Sequence, residues 1–222
     1  MTPAVEPNES AALSRHDLLQ AVKVIPAWKR FFDFFAALFL ATLLSPLLVL
    51  ISMFIRTVSK GPVIFRQRRY GQAGKPFSIW KFRTMGVLTS GDTHRDYVKS
   101  LEKDRPFSKP ANQSRLIPGG AIMRRLSLDE LPQLWNVLRG EMSLVGPRPD
   151  VLAPDDYETE QELRRFEVLP GITGLWQVSG KNELSFRQMI ALDIRYVEEL
   201  SLLMDLRILL RTAFVVLWKA NS

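Results

Sequence analysis

Two arginines followed by two adjacent acids, in the run Arg124-Arg125-Leu126-Ser127-Leu128-Asp129-Glu130-Leu131-Pro132, stand where an apolar helical repeat begins. Leu128, Leu131, Leu134, Trp135 and Leu138 supply the repeat, and Gly140 follows it. Two readings suit the acids. Ser127 and Glu130 have the spacing of a capping box, with Asp129 at the positive end of a helix dipole, which makes the pair structural. In the other reading the helix start and the arginines gather anionic phosphates. One ionised carboxylate then attacks phosphorus while its neighbour holds a divalent ion that bridges to the phosphates. Local sequence alone favours the first, because capping boxes are common and nucleophilic carboxylates rare.

The rest of the composition narrows the chemistry. The 222-residue chain has no cysteine, which removes disulfides, thiolate metal sites and a thiol nucleophile. Its two histidines, His16 and His94, have no second histidine at ligand spacing, so zinc hydrolases and Ser-His-Asp triads find no support. Acid, base and nucleophile work falls to carboxylates, backed by hydroxyls, lysines and arginines. A net charge of +7 directs attention to anionic partners: nucleic acid, phosphorylated small molecules or an anionic membrane face.

Two further sites stand out. In Pro147-Arg148-Pro149 each proline restricts its own φ and the residue before it, so Arg148 is presented on a stiff loop. Asp193 falls on the apolar face formed by Phe186, Met189, Ile190, Val197 and Leu200. A carboxylate buried there needs a partner, and a structural salt bridge is the favoured reading over a direct catalytic part.

Several elements must position these residues. Residues 1–25 form a polar tail without the features of a signal peptide, with a short helix at 14–22. Residues 26–58 form a membrane segment, uncharged from Phe34 to Ile55 and interrupted by Ser45-Pro46. A kink there leaves two arms of about 12 residues, each rising about 18 Å, too short to cross a hydrocarbon core of about 30 Å. Lys29 and Arg30 flank one end and Arg56 and Lys60 the other, a symmetry that fits both ends on the cytoplasmic face. A kinked true span and a helix buried in a core remain the other readings.

From residue 59 onward the pattern changes. Runs at 62–67 and 77–82, joined through a turn at 71–74, predict a β-hairpin carrying Arg66, Arg68, Arg69, Lys81 and Arg83. Residues 89–118 read as an irregular excursion with a short helix at 93–101. Helices are predicted at 157–168 and 183–200, with a turn-rich stretch at 170–174 between them. Residues 202–218 are apolar but carry Asp205, Arg207 and Arg211, the pattern of a helix lying in a membrane interface.

Taken together and in order, these motifs closely resemble the monotopic phosphoglycosyl transferases, the bacterial sugar transferase family that begins glycan assembly on polyprenyl phosphate. The resemblance runs from Lys29 to about Thr212. It rests on Lys29-Arg30 with Asp33, on Ser45-Pro46, on Gly61-Pro62-Val63 with Phe65, Gln67 and Arg69, and on Lys81-Phe82-Arg83-Thr84-Met85. It continues through 127–138, 142–149, 170–174 and 177–180 to Asp193, Tyr196 and Asp205.

The resemblance implies a re-entrant helix broken at Ser45-Pro46. It also implies that Asp129 attacks the sugar-bearing phosphorus of a UDP-sugar, releases UMP and holds a covalent sugar-phosphate that polyprenyl (undecaprenyl) phosphate then takes. Glu130 is expected to bind Mg2+, Pro147, Arg148 and Pro149 to lie at the nucleotide, and Arg124 near the phosphates. Lys81 and Arg83 match the family's basic hairpin motif, and Asp193 and Asp205 are expected in support. Lys181 departs from the arginine of many members, and a point charge there replaces a planar fork.

The expected fold is α/β of the α+β kind, mainly helical. A re-entrant membrane helix-break-helix carries a small catalytic domain, residues 59–222, with a short β-hairpin and interfacial amphipathic helices. Its place is the cytoplasmic face of the bacterial inner membrane, in contact with membrane lipids, and a homodimer stays open. A non-catalytic basic membrane-surface scaffold is opposed by the intact Asp129-Glu130 pair with Arg124. A nucleic-acid partner is opposed by the long apolar segment, which a soluble binder has no reason to carry.

Overall fold

Pro26 opens the first helix, α1 (Ala27–Leu43), and Leu44 separates it from α2 (Ser45–Val58) in a computed structural model that describes residues 22–86, 116–180 and 183–219. The two helix axes differ by 60°. Pro46 lies in the first turn of α2, where a missing N–H costs nothing, and the Ser45 hydroxyl donates to the Thr42 carbonyl at 2.7 Å. The break therefore falls where the sequence places it. The arms, of 17 and 14 residues, rise about 25 and 21 Å. Among the described residues no single helix is long and apolar enough to cross a membrane, whereas the bent pair together meets that test by length and composition.

One stripe of α1 turns inward. Lys29, Asp33 and Ala37, spaced by four, are buried, while Phe31, Phe35, Phe39 and Leu43 are exposed. Ala37 joins a core with Leu134, Val137, Met142, Val145, Tyr196, Val197 and Ile208. The first half of the apolar segment is thus built into the same core as the residues that follow the acids.

The hairpin forms as β1 (Ile64–Tyr70) against β2 (Pro76–Phe82), antiparallel, with Phe65 opposite Lys81 and Arg69 opposite Phe77. Side chains alternate across a pleat, so Arg69 and Lys81 share one face and Arg66 and Trp80 the other. Arg66 stacks on the Trp80 ring at 4.4 Å. Helix α3 (Gly120–Arg125), a 3-10 turn (Leu128–Glu130) and α4 (Gln133–Leu138) follow.

Two expectations fail beyond this point. Residues 157–168 are not one helix: Thr159 caps the four-residue α5 (Glu160–Leu163), and a 3-10 turn (Arg164–Glu167) completes the stretch. A capping box between Thr159 and Glu162 fixes the helix start and keeps Tyr157 outside it. Residues 170–174 are not simply a turn, because Gly171–Thr173 is strand β4, parallel to a short β3 (Ser143–Val145) that the sequence did not announce. The glycines permit it. A Cβ on Gly171 would lie 2.1 Å from the Gly146 nitrogen, and one on Gly174 would lie 2.4 Å from the Gly146 carbonyl oxygen.

Two long helices close the fold. Ser185 caps α6 (Phe186–Glu199) in a box with Gln188, and α7 (Leu202–Lys219) ends the described chain. Among the described residues the fold is mixed, seven helices and two two-stranded sheets. The helix expected at 93–101, most of that at 14–22, and Lys181 lie outside the described residues.

Candidate active site

The acids do not sit at the mouth of a capped α-helix. Ser127 has φ of 56°, in the left-handed region, its side chain caps nothing, and its carbonyl accepts the Glu130 N–H at 3.1 Å. Asp129 and Glu130 occupy the 3-10 turn, and Pro132 marks the start of a six-residue helix behind them. The capping box expected from Ser127 and Glu130 is therefore absent. With so short a helix, the charge that greets an anion comes from side chains.

Those side chains converge on Glu130. Lys81 donates to its Oε1 at 2.9 Å, and Arg148 donates to Oε1 at 2.5 Å and to Oε2 at 3.3 Å. Burial alone raises the Glu130 pKa, but Arg148 and Lys81 outweigh it and hold the carboxyl well below its usual range. Arg148 is raised in turn, chiefly by Glu130. Burial lowers Lys81, with Glu130 opposing.

Asp129 differs from its neighbour. Among the described residues its carboxylate takes no part in these pairs, and burial followed by the charge of Glu130 pushes its pKa up, against Lys81, Arg124 and Arg148. One turn thus carries a strongly acidic carboxylate anchored by two cations and a second carboxylate whose pKa is raised.

The Pro147-Arg148-Pro149 loop that brings Arg148 here is held from below. Leu144 N–H donates to Asp33 Oδ1 at 3.0 Å, and the Val145 carbonyl accepts from Lys29 Nζ at 3.1 Å and the Tyr196 hydroxyl at 2.9 Å. Asp205 joins them, 2.6 Å from Lys29 Nζ and 2.8 Å from the Tyr196 hydroxyl. Asp33, Lys29 and Asp205 are fully or almost fully buried, so α1, β3, α6 and α7 are locked together at the strand that leads into the loop. The Gly171 N–H donates to the Pro147 carbonyl at 2.8 Å. Asp205 therefore supports the loop from a distance.

Asp193 has the salt bridge favoured for it from sequence, to Arg165 at 2.8 Å. Burial raises its pKa to about 7, Asp150 adds to the rise and Arg165 opposes it. Arg83 is not brought to the acids. Its guanidinium donates to the Pro62 carbonyl at 2.6 Å, the Ser59 hydroxyl at 2.9 Å and the Ser59 carbonyl at 3.2 Å, tying the end of α2 to the hairpin. Ser45 and Pro46 stay at the helix break, and Arg124, exposed on α3, acts on Asp129 through its charge.

Three neighbours of the site had no role assigned from sequence: Arg69, named only among the basic hairpin residues and the family motif, and Asp150 and Arg165. Arg69 shares the Lys81 face, donates to Gln67 at 2.7 Å, and has a pKa lowered to about 10 by burial, with Asp150 opposing. A basic strand residue on the hairpin face that carries Lys81 was the available signal for it. Nothing in the local sequence marked Arg165. Among the described residues no group of three acidic, histidine or cysteine side chains could hold a metal without other donors.

This arrangement has relatives. The bacterial sugar transferase family matches residues 24–219. An uncharacterized sugar transferase, EpsL, of Bacillus subtilis is 41% identical over 189 residues, covering 85% of this chain and 87% of that protein. The exopolysaccharide production protein ExoY of Rhizobium meliloti is 42% identical over 191 residues, 83% of each. A UDP-glucose:undecaprenyl-phosphate glucose-1-phosphate transferase of Caulobacter vibrioides is 43% identical over 203 residues, 87% of this chain and 71% of that one. A match that takes in the broken helix, the acidic turn and both terminal helices leaves one conclusion: this chain belongs to the bacterial sugar transferase family and is a phosphoglycosyl transferase.

Proposed function

We propose that the enzyme transfers a sugar 1-phosphate from a UDP-sugar to undecaprenyl phosphate, releasing UMP, by way of a covalent intermediate on Asp129. The observation that carries the reading is the division of labour on the acidic turn: Glu130 is committed to Lys81 and Arg148, and Asp129 is not. The named activity of the Caulobacter vibrioides relative supplies the substrate classes.

In the first step an Asp129 carboxylate oxygen attacks the sugar-bearing phosphorus, and the bond from that phosphorus to the bridging oxygen breaks. UMP departs with the electron pair. In the second step an oxygen of the lipid phosphate attacks the same phosphorus, the aspartyl bond breaks, and Asp129 is regenerated. One pyrophosphate linkage replaces another, so the protein needs to position groups and neutralise charge more than to supply driving force. Lys81 and Arg148 stand beside Asp129 to do so, with Arg124 adding its field.

The donor set fits a magnesium ion carried largely by the diphosphate. Glu130 is ionised, part-exposed and next to the nucleophile, and magnesium commonly takes one or two carboxylates together with substrate phosphates. When bound, the ion neutralises phosphate charge. Glu130 would hold it, with Lys81 and Arg148 turning from that carboxylate toward the phosphates.

For location, the reading is a monotopic enzyme on the cytoplasmic face of the bacterial inner membrane, α1 and α2 entering one leaflet and returning. Support comes from the 60° bend, the short arms, and the exposed Phe35, Phe39, Leu50 and Met53. Leu203, Leu206, Leu210 and Phe214 of α7 add exposed apolar surface. The deciding experiment follows UMP release by the purified chain in detergent with Mg2+, a panel of UDP-sugars and undecaprenyl phosphate. Sustained release is expected only with both substrates, with at most one equivalent of UMP per enzyme from the UDP-sugar alone, and turnover retained by Asp129→Asn would overturn the nucleophile.

A further inference from the structure

Between two prolines, the peptide that follows Arg148 has no N–H, and its carbonyl needs a donor once it is buried among polar groups. Arg165 provides one. Its Nη2 donates to the Arg148 carbonyl at 2.8 Å and to Asp193 Oδ2 at 2.8 Å, while its Nη1 donates to Asp150 Oδ2 at 2.7 Å and to the Tyr157 hydroxyl. The Tyr157 hydroxyl donates to Asp150 Oδ2 at 3.0 Å. Arg165, Tyr157 and Asp193 are almost wholly buried, at 6%, 2% and 1% exposure, so water does not substitute for these bonds.

The same guanidinium therefore touches the loop at two points, the Arg148 carbonyl and the Asp150 side chain, and ties both to α6 through Asp193. Asp150 is fixed further: its carbonyl accepts the Tyr70 N–H at 3.0 Å, linking the loop to β1, and its Oδ1 accepts the Val151 and Leu152 N–H groups at 2.6 and 3.1 Å. On the other side of the Arg148 Cα, the side chain reaches Glu130 at 2.5 Å. Rotation of the peptide plane after Arg148 would carry that side chain away from the acidic turn. A planar guanidinium with several donors is suited to hold it, and lysine, with one point charge, is not.

We propose that Arg165, aimed by Asp193, is a positioning residue of this enzyme: it fixes the main chain at Arg148 and so sets the reach of the Arg148 guanidinium to Glu130 and the substrate phosphates. It contacts no reacting atom. The proposal rests on the function given above, and the test separates the two.

The test is a double-mutant cycle on the full chain in detergent, with Arg165→Lys and Asp193→Asn each made in the wild-type and Arg148→Ala backgrounds. UDP-sugar affinity and the rate of UMP release are both measured. A positioning role predicts that Arg165→Lys costs roughly 100-fold in kcat/KM when Arg148 is present and less than about 3-fold when it is absent, since a displacement near 1 Å can cost that much and coupled groups are non-additive. Asp193→Asn, which preserves shape and leaves Arg165 paired with Asp150, should show the same coupling at about 10-fold and serves if Arg165→Lys fails to fold. Equal losses in both backgrounds would mean Arg165 and Asp193 only support the fold, and would overturn the proposal. Coupling in UDP-sugar affinity without UMP release would overturn the assigned reaction and leave the positioning role standing.

Discussion

Asp129 and Glu130 are neighbours on one 3-10 turn, yet two cations bind one of them and neither binds the other. The roles proposed for them rest on that difference. On the proposed mechanism Asp129→Asn should lower UMP release by at least roughly 1,000-fold, with little change in thermal midpoint, since it removes the proposed nucleophile and no packing element. Lys81→Met, which keeps the stem and removes the charge, should cost about 100-fold in kcat, with loss of electrostatic stabilisation of the transferring phosphoryl group. Arg83→Met should behave otherwise. Its bonds run to Ser59 and Pro62, so stability should fall while the kcat of the folded fraction stays near the wild-type value. Much of this scale is legible in sequence: the acid pair, Lys81, and Arg148 between its prolines. Arg165 is not, because an arginine in a polar stretch has no local mark of burial, and only Asp193 on an apolar face signalled that some partner was needed, with a salt bridge the favoured one.

Elements place these residues, and the shortest elements were the least readable. The break at Ser45-Pro46 and the hairpin follow from rules that act over a few neighbouring residues, proline geometry and β-rich runs around a turn. Pro46→Ala allows the two arms to join into one helix, long enough at about 1.5 Å per residue to span a bilayer. A single cysteine placed in the tail of this cysteine-free chain should then become reactive to an impermeant reagent outside intact cells, whereas the same cysteine with Pro46 intact stays unlabelled. Strands β3 and β4 have three residues each, too few for a period-two pattern, and their glycines read as turn residues. Their actual use is close approach. Gly171→Ala should disrupt the parallel pair and displace Pro147, lowering thermal stability by about 1–3 kcal/mol and kcat together, as seen in melting curves and UMP release.

Across the whole molecule, buried charge links distant elements: Lys29, Asp33 and Asp205 under β3, and Arg165, Asp150 and Asp193 behind Arg148. Asp193 makes stability depend on pH. Its folded pKa, about 7, lies above the ordinary value of 3.8, so the folded chain binds the proton more tightly. The contribution of this group to stability therefore falls as pH rises from about 4 to about 7 and is level above that. Denaturant midpoints measured over this range should decline more steeply for the parent than for Asp193→Asn. The sequence by itself narrowed the chemistry, since without cysteine or paired histidine the acid, base and nucleophile work fell mainly to carboxylates with hydroxyls and cations in support, and it determined the broken apolar segment, because proline acts on its own turn. The tertiary structure decided which acid is anchored by Lys81 and Arg148 and which is not. It sent Lys81 to the acids and Arg83 to the end of α2, and it put Arg165 behind Arg148. Those outcomes depend on residues 15 to more than 100 positions apart meeting in one low-dielectric core, where pairing and burial, not spacing along the chain, set each charge.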